Sequence, residues 1–146
     1  MRVFVDTNLW VYRFDQREPD KSLFVARWLR DLASEHDVVI STQVLIELRS
    51  VLTRKLAPAF SAQDVRAVLE SLAAFEVVST HAATVLDANE LAHAEQLPWF
   101  DALIAEAALR SDCDVLFSED FGHGRRLEGR LMVQNPFRAR LAGASN

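Results

Sequence analysis

Near its amino terminus the chain runs Arg2-Val3-Phe4-Val5-Asp6-Thr7-Asn8. Three consecutive apolar residues, two of them β-branched, predict a short strand buried on both faces, as in a parallel sheet. An acid follows at once. Similar runs recur at Val38-Val39-Ile40, Glu76-Val77-Val78, Val115-Leu116-Phe117 and Leu131-Met132-Val133. Between them the apolar residues take helical spacing. Leu9 to Phe14 reads as a helical turn. Asp20 is placed to cap a helix carrying Leu23, Phe24, Ala26, Trp28, Leu29 and Leu32. Ser41-Thr42 is placed to cap a helix from Val44 to about Leu56, which Pro58 breaks. Ser61, with Asp64 three residues on, forms a capping-box pattern ahead of Val65, Val68, Leu69 and Leu72. Thr84 to Gln96 and Trp99 to Ser111 complete the helices, with Pro98 between them. Strands alternating with helices predict an α/β fold with a central, mostly parallel sheet flanked by helices.

Length and composition bound the function. The 146 residues suit one domain, and half of them are apolar, enough for a packed core. We expect a single domain over 1–140 and a loose tail over 141–146. The formal charge is -5, from 21 acids against 16 bases. A general nucleic-acid coat protein would be basic. Either nucleic acid is not a partner, or it is met at a local site that a cation completes. Fourteen of the 16 bases are Arg, with Lys21 and Lys55 the only lysines. The lone Cys113 excludes an internal disulfide and a Cys-based zinc site, as expected of a reducing cytoplasm. Asp6 comes too early for a signal peptide. No apolar run approaches the roughly 18 residues of a membrane span, so no membrane partner is expected.

Four acids stand where strands and helix faces present them. Asp6 and Asp120 follow apolar strands, and ligands of parallel sheets bind beyond the carboxyl ends of strands. Each alone is equally a turn or capping residue. Glu47 borders the stripe Val44, Leu48, Val51 and Leu52, or snorkels to solvent. Asp101 lies in the first turn of an almost wholly apolar helix, where an acid also suits the helix dipole. Together, four carboxylates in one cleft repel each other unless a cation joins them. Mg²⁺ and Mn²⁺ take oxygen ligands, and Mg²⁺ keeps waters of its own.

The segments Val3-Phe4-Val5-Asp6-Thr7-Asn8, Leu45-Ile46-Glu47-Leu48, Asp101-Ala102-Leu103-Ile104-Ala105 and Phe117-Ser118-Glu119-Asp120 resemble the four acidic motifs of PIN-domain nucleases. Ser118-Glu119-Asp120-Phe121 with Gly124-Arg125, ending in Asn135-Pro136-Phe137, is similar to the VapC branch, the toxins of toxin–antitoxin pairs. The resemblance implies a PIN-like fold and Mg²⁺- or Mn²⁺-dependent endonucleolytic cleavage of RNA. It makes Asp6, Glu47, Asp101 and Asp120 the catalytic and metal-binding set, with Asn8 and Ser118 as polar helpers. Glu119 takes the middle position of the last motif, so either it or Asp120 can be the acid that points inward. A cognate antitoxin and a homodimer are also implied. Phosphate contacts are expected from a local arginine rim, for which Arg49, Arg54, Arg125 and Arg126 are the candidates.

Other readings have less behind them. A stand-alone PIN nuclease of RNA processing has the same site. A haloacid-dehalogenase-type phosphatase wants a second Asp where Asn8 stands, and a receiver-like signalling module wants a late Lys, yet none follows Lys55. Asp120-Phe121-Gly122 spells a kinase metal motif without the rest of a kinase. His93-Ala94-Glu95 lacks the cysteine pair of a zinc deaminase. Asp112-Cys113-Asp114 reads as a turn before a strand. His36, His81 and His93 read as surface residues. His123 belongs either to a loop that meets RNA or to a solvated turn.

Overall fold

The strand at Arg2–Val5 (β1) forms the middle of the sheet, and Val3, Phe4 and Val5 are fully buried. The structure is a computed structural model, and it describes residues 1–138. The expected tail, 141–146, therefore lies outside the described residues. Beside β1 run Asp37–Ser41 (β2) and Val115–Phe117 (β4), both parallel to it, with Phe4 opposite Val39 on one side and Leu116 on the other. Glu76–Val78 (β3) joins β2, and Leu131–Gln134 (β6) joins β4, again in parallel. A two-residue strand, Arg126–Leu127 (β5), closes the far edge antiparallel to β6. The order is β3-β2-β1-β4-β6-β5. A sheet buried on both faces explains why its central strands are continuous apolar runs.

The helices are Thr7–Phe14 (α1), Pro19–Glu35 (α2), Thr42–Thr53 (α3), Ala62–Ala73 (α4), Ala82–Ala94 (α5) and Trp99–Arg110 (α6). Their boundaries correct two expected caps. Asp20 does not cap α2: the helix starts at Pro19, whose fixed φ and missing N–H suit the first helical position. Ser41 precedes α3 without a side-chain cap bond, because its hydroxyl is wholly buried at the end of β2. Helix α3 stops at Thr53, five residues before Pro58. The expected capping box on α4 is present: Ser61 Oγ accepts from the Asp64 N–H (3.1 Å), and Asp64 Oδ2 accepts from the Ser61 N–H (2.9 Å).

Large side chains seal the layers. Trp10 is buried against Phe75 and donates its indole N–H to the Val5 carbonyl (3.2 Å). Trp28 meets Phe117 edge-on at 4.9 Å between centroids. Cys113 is buried, and burial pushes its thiol up to about 12, so it behaves as a small apolar residue. No helix among the described residues is long and apolar enough to cross a membrane.

Two consequences of this topology create the site. Strand order reverses between β1 and β4, since β2 and β3 lie to one side and β4 and β6 to the other. That reversal opens a crevice at the carboxyl ends of β1 and β4. Helix α6 leads into the amino end of β4, so its own first turn lies back at the carboxyl edge. The stability of the α4 arm is separable from this crevice. We expect Ser61→Ala to lower unfolding free energy by about 1 kcal/mol in urea titration, the ordinary worth of an N-cap.

Candidate active site

Asp6 is the first residue past β1, and its N–H still bonds the Phe117 carbonyl of β4 (3.0 Å). Its carboxylate is only 4% exposed. Oδ1 accepts from the Thr7 N–H (2.7 Å), which makes Asp6 the N-cap of α1, and Oδ2 accepts from Ser118 Oγ (2.7 Å). Ser118 is fixed in turn by its N–H on the Gln134 carbonyl of β6 (3.0 Å). Burial raises the Asp6 carboxyl to about 7; the bonds from Ser118 and Thr7 oppose the rise, and the charges of Asp120 and Glu47 add to it.

Asp120 lies on the same network. Its N–H donates to Ser118 Oγ (3.0 Å), and Asn8 Nδ2 donates to Asp120 Oδ2 (3.0 Å) and to Ser118 Oγ (3.3 Å). Glu119 faces the other way, toward the Tyr12 hydroxyl, whose pKa is raised by burial and by that carboxylate. Asp120 is thus the acid of this pair that joins Asp6. Glu47 arrives from α3, where its Oε1 accepts from Thr7 Oγ1 (2.7 Å). Asp101, in the first turn of α6, makes no hydrogen bond among the described residues. Its carboxyl is raised by partial burial and then by the charges of Asp120 and Glu47. All four expected acids therefore share one electrostatic site at the carboxyl edge of the sheet.

A search of curated protein sequences finds no match. The family model described as PIN domain matches residues 3–126. The chain belongs to the PIN domain family. Among solved structures, similar ones include VapBC2 from Rickettsia felis bound to a DNA fragment from its promoter (21% identity, TM-score 0.68, covering 92% of this chain and 98% of that one). A toxin–antitoxin complex from Klebsiella pneumoniae has 17% identity and a TM-score of 0.63, covering 92% and 97%. The Mycobacterium tuberculosis toxin VapC20, described as cleaving the sarcin–ricin loop, has 21% identity and a TM-score of 0.55, covering 82% and 92%. The fold expected from the PIN resemblance is the one observed.

The donor set suits a hard divalent cation, being oxygen throughout. Asn8 Oδ1 adds a buried acceptor that no donor among the described residues satisfies. The set is not a closed cage: among the described residues, no three His, Cys, Asp or Glu side chains are drawn together tightly enough to hold an ion unaided. An ion that retains its waters needs only a few direct ligands. The oxygen donors of Asp6, Glu47, Asp101 and Asp120 are the ones that could hold a hard divalent cation here.

The four rim arginines are dispersed. Arg125 turns to Glu95, bonding its carbonyl and pairing with its carboxylate. Arg49 lies two residues from Glu47, on the other side of α3, and lines a groove with Thr53, Phe60 and Arg66. Arg54 is exposed at the end of α3, and Arg126 is exposed on β5. The bases beside the acids are others. A groove of about 370 Å³ between α1 and α3 is lined by Thr7, Asn8, Tyr12, Glu47 and Glu119 together with Arg17 and Lys55. Lys21 stands over the Tyr12 ring at 4.9 Å. Sequence reasoning passed over Thr7, Tyr12, Arg17 and Lys55. His123 is tied within its loop: its Nδ1 accepts the Asn135 N–H (3.0 Å).

The raised Asp6 pKa fixes a pH dependence. Folded Asp6 holds its proton up to about pH 7, whereas the unfolded chain releases it near 3.8. Its stabilising contribution is therefore complete below about pH 4 and is lost as pH rises to 7. We expect chelator-treated Asp6→Asn to melt higher than the wild type at pH 8, by on the order of 2–4 kcal/mol, and the gap to close toward pH 4. A gap independent of pH in thermal unfolding would contradict the buried charge as its source.

Proposed function

We propose that this protein is a Mg²⁺- or Mn²⁺-dependent endoribonuclease, acting as the toxin of a toxin–antitoxin pair. The observation that carries the reading is the lacing of Asp6, Glu47 and Asp120 by Thr7, Asn8 and Ser118 around one crevice, with Asp101 beside them. A bound divalent cation would act as Lewis acid on the phosphodiester and hold the attacking water. The chain's own part is orientation. Ser118 and Thr7 turn the Asp6 oxygens outward from β1, and Asn8 holds Asp120 beside them. The Tyr12 ring and the cations Arg17 and Lys55 offer the adjoining groove a flat face and positive charge for an RNA strand. The toxin assignment leans on neighbours whose structures are of toxin–antitoxin complexes. An RNA-cleaving activity agrees with the neighbour described as cutting the sarcin–ricin loop. Membership of the PIN family takes the chain away from the phosphatase and receiver readings.

On this reading a cognate antitoxin occupies the acidic crevice with a basic side chain, and the chain is a homodimer. A stand-alone RNA-processing nuclease is the second reading, since it needs the same site without the inhibitor. Cleavage of a panel of structured RNAs should require Mg²⁺ or Mn²⁺ and stop with chelator. Asp6→Asn should lower the rate more than about 100-fold while leaving the circular dichroism unchanged, since residues that merely orient ligands are already worth 10- to 100-fold. Equal rates of variant and wild type would refute the site. Light scattering at micromolar concentration should give a dimer, and a clean monomer would refute that part. Copurification with the product of an adjacent small gene, with relief of growth arrest, separates toxin from stand-alone nuclease.

A further inference from the structure

Thr7 directs two donors at two different acids. Its backbone N–H bonds Asp6 Oδ1, and its hydroxyl bonds Glu47 Oε1, each at 2.7 Å. The residue is 8% exposed, in the first turn of α1. Its own helix does not claim the hydroxyl. A helical Thr ordinarily bonds back to a carbonyl one turn earlier, but here that direction leads out of the helix into β1. The hydroxyl has one proton, and a carboxylate is an acceptor only, so the proton is committed to Glu47. Such a charge-assisted bond is among the stronger ones available.

We infer that Thr7 is the positioning residue of the metal centre, coupling the Asp6 carboxylate at the end of β1 to the Glu47 carboxylate on α3. This rests on the nuclease reading above. Glu47 reaches the crevice through a long side chain that loses much rotamer freedom when fixed. The Thr7 bond fixes it before any cation arrives. It uses one oxygen, Oε1, and leaves Oε2 to a ligand. Asp120 has the corresponding support from Asn8, and Asp101 has none among the described residues. Ser118 ties Asp6 to the backbone of Asp120, whereas Thr7 bonds a carboxylate on each side and so sets the separation of Asp6 from Glu47.

The test is a double-mutant cycle on the full chain, chelator-treated and assayed at pH 8, with Mn²⁺ binding read from the EPR signal of the free ion. Thr7→Val keeps the shape and removes the donor. We expect it to weaken Mn²⁺ roughly tenfold or more, the usual worth of a group that orients a ligand. Thr7→Ser should restore affinity. The Mn²⁺ concentration for half-maximal RNA cleavage should shift with it, more than the rate at saturating Mn²⁺. In a Glu47→Ala background the Thr7→Val effect should vanish, since non-additivity is the mark of two residues acting together. If Thr7→Val fails to fold, Thr7→Ala takes its place in the same cycle. Wild-type affinity in Thr7→Val, or an undiminished loss without Glu47, overturns the coupling alone. A wild type that binds no Mn²⁺ overturns the nuclease reading and this inference with it.

Discussion

Asp6 is a carboxylate sealed at the end of the central strand, 4% exposed, just past the wholly apolar run Val3-Phe4-Val5. Desolvation of an unpaired acid is costly, and no basic side chain among the described residues bonds it. Its two oxygens are met by the Thr7 N–H and the Ser118 hydroxyl, which offset part of that penalty. Those two donors fix much else. The Thr7 bond starts α1 directly from β1, with no intervening loop. The Ser118 bond ties the end of β4 to the end of β1 across the crevice where strand order reverses. Asn8, the next residue of α1, then reaches Ser118 and Asp120. The site is organised outward from one buried charge.

Much of this was legible in the sequence because the acids break patterns. Asp6 ends a run of apolar residues, Asp101 interrupts a helix that is otherwise almost wholly apolar, and Glu47 sits on the border of a stripe. Those are contrasts between neighbours, which a sequence displays. The parallel sheet was legible for the same reason: Val3-Phe4-Val5 and Val38-Val39-Ile40 have no polar face. What could not be read depends on distance in space. Thr7 beside Glu47 joins residues 40 positions apart, through the packing of α1 on α3. As one Thr in a helix's first turn it carries no local signal. The caps at Asp20 and Ser41 misled because capping residues are recognised by type, whereas Pro19 and the burial of Ser41 decided the outcome.

The basic residues illustrate the same limit. Arg125 and Arg126 follow Asp120 closely in sequence, yet the antiparallel return from β5 to β6 turns Arg125 to Glu95. Lys55 is far from Asp6 in sequence, yet from the turn just past the end of α3 it lines the same groove as Glu47. Arg49, only two residues from Glu47, is carried round to the side of α3 that meets α4.

Charge decides how a chain of net charge -5 could hold a polyanion at all. Asp6 and Asp101 both have raised pKa values, and the neighbouring acids contribute to each shift. The crevice thus strains against its own field even before an RNA phosphate approaches. Arg17 is no remedy by itself, since Asp15 already binds it through two hydrogen bonds of 2.9 Å. Lys21 is shared with Tyr12 and Glu18. Lys55 alone lines the groove without an ion pair among the described residues, and one lysine does not balance four acids. On the nuclease reading the missing positive charge is the divalent cation. The same ion that would polarise the phosphate would also relieve the repulsion that adds to the burial of Asp6 in raising its pKa. Ion and substrate binding are then coupled through one field, and the acids that destabilise the empty crevice are those that give the filled one its affinity.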